Sequence, residues 1–217
     1  MSLRINEILP NLTVNTDQGR FDLHDWIGDS WAILFSHPKD FTPVCTTEFG
    51  AVSLLDNAWK KRNAKVIGLS VDSVEEHAAW KADIETFSGA KPNFPIIADE
   101  SLEISKALNM LPEDAYLPDG RTAADSASVR VVFIISPDKK IQLSIAYPMA
   151  VGRNFAEILR ALDALQATYQ APIATPANWT VGEDVIIDLS LNDDQAKERF
   201  GQINVKLPYL RTTKAPK

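Results

Sequence analysis

A proline, a threonine and the only cysteine of the chain are spaced as Pro38-x-x-x-Thr42-x-x-Cys45. Thr42 followed by Pro43 is typical of a helix start, because a hydroxyl suits the N-cap and proline suits the first helical position. Cys45 is then predicted in the first helical turn, where free N–H groups and the helix dipole favour negative charge. Such a thiol, partly exposed, is set up to react as a thiolate. The alternative is a small buried apolar residue without chemistry.

The segments on either side of this motif predict the elements that position the cysteine. The apolar run 31–35 is long enough for a buried strand. After the motif, apolar residues recur at helical spacing and predict a helix over about 42–62. Cys45 then lies just beyond the carboxyl end of a central strand, where open α/β sheets place their ligand crevices.

The rest of the first 170 residues alternates predicted strands and helices. Strands are predicted near 12–14, 21–23, 66–69, 94–98, 129–135 and 141–147, and helices near 73–87, 101–109 and from 154 onward. A capping box, Ser73 with Glu76, marks the start of one helix. A polar loop is predicted over 110–128, with a turn at 118–120. This order predicts an α/β sheet with helices on both faces.

Composition restricts the class of protein. The chain has 217 residues, 45% hydrophobic and 24% charged, which is a globular balance. A net charge of −7 argues against a nucleic-acid-binding face. We expect no membrane span, because no apolar run approaches about 20 residues, and no secretory leader. A single cysteine excludes an internal disulfide and favours a reducing compartment, most simply the cytoplasm.

The composition changes after Gln170. Residues 171–176 have the pattern of a linker, and a short strand and a short helix are predicted near 185–187 and 193–200, before an extended 205–211. This tail is predicted to be too short to bury its own core, so it must pack on another surface. The domains are therefore predicted as 1–170 and 171–217.

The cysteine motif closely resembles the active-site signature of the peroxiredoxins, the AhpC/TSA family. The wording Ser36-His37-Pro38 through Thr42-Pro43-Val44-Cys45-Thr46-Thr47-Glu48 is similar to the one-cysteine subfamily, and the resemblance extends over nearly the whole chain. It implies a thioredoxin-like fold, a central mixed sheet flanked by helices, with a small C-terminal α+β extension. It also implies a homodimer in which 171–217 is a dimer-packing domain that lies on the partner subunit.

The same resemblance implies a thiol-dependent peroxidase that reduces hydrogen peroxide and organic hydroperoxides to water and alcohols. A free thiol, with a pKa of about 8.5, is only ~3% ionised at pH 7, so ionisation alone gains about thirtyfold. The site must therefore also align the O–O bond and stabilise the leaving oxygen. Arg130 is the candidate cation, since it shares a predicted strand face with Val132 and Ile134. A structural ion pair is the alternative, and the resemblance favours thiolate activation.

Other residues near the motif are predicted to support it. Thr42 can cap the helix and bond a peroxide oxygen, and Pro38 is expected by resemblance to shield the sulfur from water. Glu48 is expected to brace an arginine, or else to lie on a solvated helix face. Arg153 matches a second arginine of the subfamily, with a surface residue as the alternative. His37 is expected to donate a hydrogen bond inside the pocket.

Recycling of the enzyme is constrained by the cysteine count. Peroxide would convert Cys45 to a sulfenic acid, and no second cysteine in the chain can resolve it. We therefore expect no prosthetic cofactor and an external thiol reductant, or Cys45 of another copy. Glutathione, thioredoxin and ascorbate all stay open as the reductant.

Metal binding is not expected. The three histidines and the cysteine, which are His24, His37, His77 and Cys45, lack short ligand spacing. His77 shares a predicted helix face with Trp80 and is interpreted as a core-edge residue.

Two other functions compete with the peroxidase. Gly28-Asp29-Ser30-Trp31 resembles part of a lipase motif, and some one-cysteine peroxiredoxins are described as phospholipases, which would place a triad at Ser30, His24 and Asp138. Ala32 stands where that motif has its last glycine, and turn chemistry is the alternative. The long loop and the tail also suit a redox-sensing or chaperone-like interaction protein.

Overall fold

The computed structural model describes residues 3–112 and 127–215, so the predicted turn at 118–120 lies outside the described residues. The chain forms two compact units, 1–155 and 156–217. The elements of the first unit are β1 (Thr13–Thr16), β2 (Gly19–Asp22), α1 (Leu23–Ile27), β3 (Trp31–Ser36), α2 (Pro43–Leu54), α3 (Asp56–Lys61), β4 (Ala64–Ser70), α4 (Val74–Ser88), β5 (Ile96–Ala98), α5 (Glu103–Ala107), β6 (Arg130–Ile135) and β7 (Ile141–Tyr147).

Seven strands form one mixed sheet in the order β2-β1-β5-β4-β3-β6-β7. Strand β3 is parallel to β4, with Phe35 opposite Gly68, and antiparallel to β6, with Phe35 opposite Val132. All six residues of β3 are buried, as expected for an apolar run covered on both faces. The predicted α/β architecture is confirmed, and α2 starts beyond the carboxyl end of a central strand.

Helix α4 follows its sequence signals closely. The Ser73 hydroxyl accepts from the Glu76 N–H, and the Glu76 carboxylate accepts from the Ser73 N–H, which completes the predicted capping box. The helix ends at Gly89, whose φ of 74° lies in the left-handed region that favours glycine. These two ends fix the register of α4. Its buried side chain His77 bonds Asp40, before Cys45, and its buried Trp80 donates to Thr46, directly after Cys45.

Several predicted boundaries differ from the structure. The helix expected over 42–62 is two helices, because the Val52 carbonyl accepts from the Leu55 N–H and from the Trp59 indole. Residue 23, expected in a strand, starts helix α1 instead, and its N–H bonds the Leu12 carbonyl.

The second unit contains nearly all of α6 (Phe155–Gln170), which begins at the last residue of the first unit. Its other elements are β8 (Ile173–Ala174), β9 (Asp184–Ile187), α7 (Asp193–Phe200), β10 (Asn204–Leu207) and β11 (Leu210–Lys214). Four of them form a sheet in the order β10-β11-β9-β8. The predicted linker thus includes a short strand, and the predicted extended segment 205–211 is a hairpin. The helix predicted over 193–200 is confirmed.

This unit has a small apolar core of its own. Ile173, Trp179 and Val185 are buried together, and Ala164 and Phe200 pack against them. The tail does not form this core alone, because Ala164 belongs to α6, so residues 171–217 pack on that helix as another surface. Packing of the tail on a partner subunit stays a prediction. The domain boundary expected after residue 170 stays a prediction, since the compact units divide at 155. None of the described helices is long and apolar enough to cross a membrane.

Candidate active site

Thr42 and Pro43 begin helix α2, as predicted. Thr42 is the N-cap residue with an extended backbone, and Pro43 occupies the first helical position. The Thr42 hydroxyl does not cap the helix, however: it donates to the Lys39 carbonyl at 2.8 Å. That part of the prediction is wrong, because the hydroxyl is turned toward the Lys39 carbonyl and accepts no hydrogen bond from a helix N–H. The Thr42 side chain is half-buried, beside the turn that carries Cys45.

Cys45 lies in the first turn of α2, but its exposure is 0%. The expectation of partial exposure is therefore wrong for this conformation. Burial alone would fit an inert thiol, but the surroundings of this sulfur are polar. The Nη1 atom of Arg130 lies 3.4 Å from the Sγ atom of Cys45, within hydrogen-bond distance for sulfur. A guanidinium at this distance stabilises a thiolate.

Arg130 is fixed on both sides of its guanidinium. It is the first residue of β6, and its Nε donates to the Met149 carbonyl at 2.8 Å. Its Nη1 also donates to Glu48 Oε2 at 2.6 Å. The geometry therefore supports both interpretations of Arg130, a structural ion pair and activation of the thiolate, because the guanidinium contacts a buried carboxylate and the sulfur.

Glu48 joins two arginines at the base of the site. Its carboxylate accepts from the Arg153 backbone N–H at 2.8 Å, from Arg153 Nε at 2.9 Å and from Nη2 at 2.7 Å, besides the bond from Arg130. Burial would raise the pKa of Glu48, but the hydrogen bonds and charge of Arg153, with the charge of Arg130, lower it below its ordinary value. Glu48 is therefore a carboxylate, and neither it nor Arg153 is a solvated surface residue.

Arg153 also packs against aromatic rings. Its guanidinium carbon lies 5.1 Å from the Phe35 ring centre and 5.5 Å from that of Phe155, and its Nη1 donates to the Val131 carbonyl at 3.0 Å. Burial lowers the pKa of Arg153, and Glu48 opposes this shift. The planar guanidinium is suited to stacking and to bonding two carboxylate oxygens at once.

A second buried network lies between the loop before α2 and helix α4. His37 Nε2 is 2.6 Å from Asp40 Oδ1, and His77 Nδ1 is 2.6 Å from Asp40 Oδ2. The His37 ring packs edge-on to Phe49 at 4.6 Å and stacks on Trp80 at 5.2 Å. His77 is thus a fully buried polar residue, and its interpretation as a core-edge residue is wrong. Asp40 was missed, although its position three residues after His37 is a signal for a local bond.

Pro38 and His37, the other two predicted residues, lie in the loop between β3 and α2. Pro38 is buried two residues beyond the end of β3, and its shielding role stays a prediction. His37 contributes a side-chain bond to Asp40, and its Nδ1 atom has no hydrogen-bond partner among the described residues. Donor atoms of His37, Asp40 and Asp72 lie within 4.8 Å of one another, a cluster that histidine spacing alone does not reveal. Asp72 Oδ2 already accepts from Asp40 N and Ser70 Oγ.

The predicted hydrolase triad is not assembled by hydrogen bonds among the described residues. Ser30 Oγ donates to the Asn63 side chain at 3.1 Å, and His24 Nε2 lies 2.6 Å from the Leu9 carbonyl. Asp138 is bonded to Ser136 and paired with Lys140. Asp138 has the local partners typical of a turn, whereas Ser30 and His24 bond residues 33 and 15 positions away.

A surface cavity of about 440 Å³ adjoins the first turn of α2. Cys45 does not line it. The residues around it come from the start of α2 and from α4, and they are Phe41, Thr42, Pro43, Thr46, Thr47, Trp80, Asp83 and Phe87. The cavity therefore lies next to the reactive turn without reaching the sulfur.

Comparisons with known proteins agree with this site. Residues 5–144 match the AhpC/TSA family, and residues 164–202 match the C-terminal domain of 1-Cys peroxiredoxin. Peroxiredoxin-6 of Gallus gallus is 46% identical over 224 residues, covering 99% of this chain and 98% of that protein.

Solved structures extend the comparison to the fold. A peroxiredoxin 6 mutant of Arenicola marina superposes with a TM-score of 0.92 at 44% identity, covering 100% of both chains. A yeast mitochondrial 1-Cys peroxiredoxin does so with a TM-score of 0.87 at 46% identity, covering 98% of this chain and 99% of that one.

The fold is therefore thioredoxin-like, and the chain belongs to the AhpC/TSA family of peroxiredoxins, in its 1-Cys group. The protein is a thiol-dependent peroxidase, an oxidoreductase that uses a single cysteine and an external reductant.

Proposed function

We propose that Cys45 is the peroxidatic nucleophile and that Arg130 and Thr42 bind the peroxide. The Cys45 thiolate attacks one peroxide oxygen, the O–O bond breaks, and the second oxygen leaves as water or an alcohol after taking up a proton. Sulfur is oxidised to the sulfenic acid and the peroxide is reduced. The observation that supports this most directly is the 3.4 Å contact between Arg130 Nη1 and Cys45 Sγ.

The supporting residues act in two ways in this proposal. Glu48 and Arg153 hold Arg130 in place, and Arg130 then stabilises charge on sulfur and on the departing oxygen. Pro38 and the burial of Cys45 keep water from the thiolate, which strengthens the electrostatic contribution.

The sulfenic acid is recycled by an external thiol. One thiol forms a mixed disulfide with Cys45 and releases water, and a second thiol displaces Cys45 and leaves as a disulfide. The yeast relative is described as resolved through glutathione and thioredoxin systems, and we propose a reductant of this type here. Because Cys45 is fully buried, such a reductant needs the first turn of α2 to open. We further propose a cytoplasmic homodimer, in which residues 171–217 pack on the partner.

A stoichiometric oxidation tests the nucleophile. Reduced protein mixed with one equivalent of hydrogen peroxide should consume it and react with a sulfenate trap at Cys45, whereas Cys45→Ser should do neither. Equal peroxide consumption by Cys45→Ser would contradict the proposal. Turnover with glutathione, thioredoxin and ascorbate then identifies the reductant. Size-exclusion profiles before and after peroxide separate turnover from a redox-dependent change of assembly.

A further inference from the structure

The hydrogen bonds of the His37–Asp40–His77 network indicate which ring nitrogens carry a hydrogen. Besides its 2.6 Å contact with Asp40, His77 lies with Nε2 3.1 Å from the Ile97 carbonyl oxygen. A carbonyl oxygen only accepts, so His77 Nε2 carries a hydrogen. Either His77 Nδ1 also carries one and donates to a carboxylate, or Asp40 is a carboxylic acid that donates to His77 Nδ1.

The environment of Asp40 selects between these two states. Burial raises the pKa of Asp40, but hydrogen bonds from His37 and His77 outweigh this and hold the pKa below its ordinary value. Asp40 is then a carboxylate, and both His77 nitrogens carry hydrogen. Burial lowers the pKa of His37 despite its bond to Asp40, so His37 is the neutral member and donates through Nε2. The other charged groups around the network are Asp72, Glu76 and Lys39.

This network fixes a strained turn before the reactive helix. Phe41 has a φ of 53°, a left-handed conformation that is unusual for a bulky side chain and costs on the order of 1–3 kcal/mol. The preceding residue, Asp40, is held through both carboxylate oxygens and through its N–H, which donates to Asp72 Oδ2 at 2.8 Å. The following residue, Thr42, begins the helix that carries Cys45.

We propose that Asp40 and His77 are positioning residues for the peroxidase reaction, with both ring nitrogens of buried His77 donating hydrogen bonds and His77 fixing the turn through Asp40. The ion pair connects α4 to the loop between β3 and α2, so it sets where the first turn of α2 lies relative to Arg130. Neither residue touches the sulfur in the described structure. This inference rests on the proposed peroxide chemistry at Cys45 and adds the device that keeps Thr42 and Cys45 in register with the cation.

The protonation state is tested on the unaltered protein. Nitrogen and proton NMR of the reduced protein at pH 7 should show both His77 ring nitrogens protonated and His37 protonated on one nitrogen only. A His77 ring with hydrogen on only one nitrogen in the unaltered protein would overturn the proposal without any variant.

The positioning role is tested by rapid mixing with hydrogen peroxide. Asp40→Asn and His77→Gln should slow sulfenate formation about 10- to 100-fold, the loss expected for a misplaced reacting group. Lys81→Met is the matched control, because it removes another buried ion pair on α4, with Asp17, away from the loop. It should lower thermal stability and leave the oxidation rate within twofold. If Asp40→Asn folds and oxidises at the unaltered rate, the positioning role is overturned. The proposed function is tested separately, by the loss of peroxide consumption in Cys45→Ser, and it stands if that loss is seen.

Discussion

The Nη1 atom of Arg130 lies 3.4 Å from the Sγ atom of Cys45. At an effective dielectric constant near 20, two unit charges about 4 Å apart interact by ~4 kcal/mol. The dipole at a helix N-terminus contributes roughly 1 kcal/mol. The guanidinium therefore outweighs the helix dipole at this sulfur. Glu48 also accepts from this nitrogen, but Arg153 shares the same carboxylate, so the two guanidinium groups and Glu48 keep a net positive charge beside the sulfur.

Removing the Arg130 charge should slow the reaction with peroxide. We expect Arg130→Met to lower the second-order rate constant for sulfenate formation by about 10²–10³-fold, the range for loss of one preorganised charge-stabilising group. Arg130→Lys should fall between, because lysine keeps the charge but cannot also donate as Arg130 Nε does to Met149. Stopped-flow fluorescence measures both.

Arg211→Met is the control for that experiment. Arg211 is also buried and paired with a carboxylate, Asp193, but it lies in the second unit. Its replacement should reduce stability without changing the oxidation rate. A rate for Arg130→Met within threefold of the unaltered protein would remove Arg130 from the mechanism.

The sequence predicts the residues of the site better than it predicts their partners. Cys45, Thr42 and Arg130 stand out because a thiol after Thr-Pro, and a charge within an apolar strand, are unusual on their own. Glu48 and Arg153 are 105 positions apart, and His77 is 37 positions from Asp40. Their contacts depend on the sheet register and the packing of α4, which local periodicity does not specify. The burial of Cys45 likewise arises from tertiary packing.

Glu48 should be important for stability. Glu48→Gln leaves two buried guanidinium groups close together without their carboxylate, and breaking such a pair costs about 3–5 kcal/mol in unfolding free energy. Urea unfolding measures the loss. Asp56→Asn, which breaks an exposed pair with Lys60, should cost less than about 1 kcal/mol. Similar losses in the two variants would show that the buried Glu48 network contributes no more to the unfolding free energy than an exposed ion pair does.

Stability should fall in acid because of the same carboxylates. The pKa values of Glu48 and Asp40 are lowered in the folded state, so the unfolded chain binds protons more readily. Their contribution is fully present above the ordinary values of 4.5 and 3.8, and it is lost as the pH falls through the lower folded values. Burial raises the pKa of Asp99, which acts in the opposite direction.

Urea unfolding between pH 3 and 7 checks this dependence. The unfolding free energy of the unaltered protein should decline below about pH 4.5, and Glu48→Gln should decline less steeply, because one of the titrating groups is gone. Parallel curves for the two proteins would show that the protonation of Glu48 is not linked to unfolding.

The hydroxyl of Thr42 should contribute more to peroxide binding than to the stability of the fold. Its single described bond, to the Lys39 carbonyl, is worth about 1 kcal/mol, so Thr42→Val should cost little stability. If the hydroxyl also bonds peroxide, the valine variant should raise the peroxide concentration needed for half-maximal oxidation about tenfold, and Thr42→Ser should restore it. An unchanged concentration dependence in the valine variant would limit Thr42 to a structural role.

Element boundaries were less predictable where a side chain competes for a backbone group. Helix α2 stops at Leu54 because the Val52 carbonyl bonds the Leu55 N–H and the Trp59 indole, and hydrophobic spacing continues through the break. Helix α4, by contrast, is bounded by a capping box and Gly89, both visible in the sequence. Strand β8 is only two residues long and pairs with β9, a partner that the sequence does not indicate.

Gly68 allows the aromatic packing behind the active-site loop. A Cβ atom at this position would lie 2.9 Å from Phe49 Cζ, and the Phe49 ring packs against His37 at 4.6 Å and Trp80 at 4.7 Å. Gly68→Ala should therefore destabilise the protein by about 1–3 kcal/mol and slow oxidation of Cys45, since the displaced ring moves His37. Gly50→Ala is the control, because its Cβ would instead meet Ser88 at 2.8 Å, at the far end of α4. Calorimetry and stopped-flow kinetics on both variants decide the matter: equal slowing in the two would mean that general destabilisation, rather than the contact between Phe49 and His37, limits the rate.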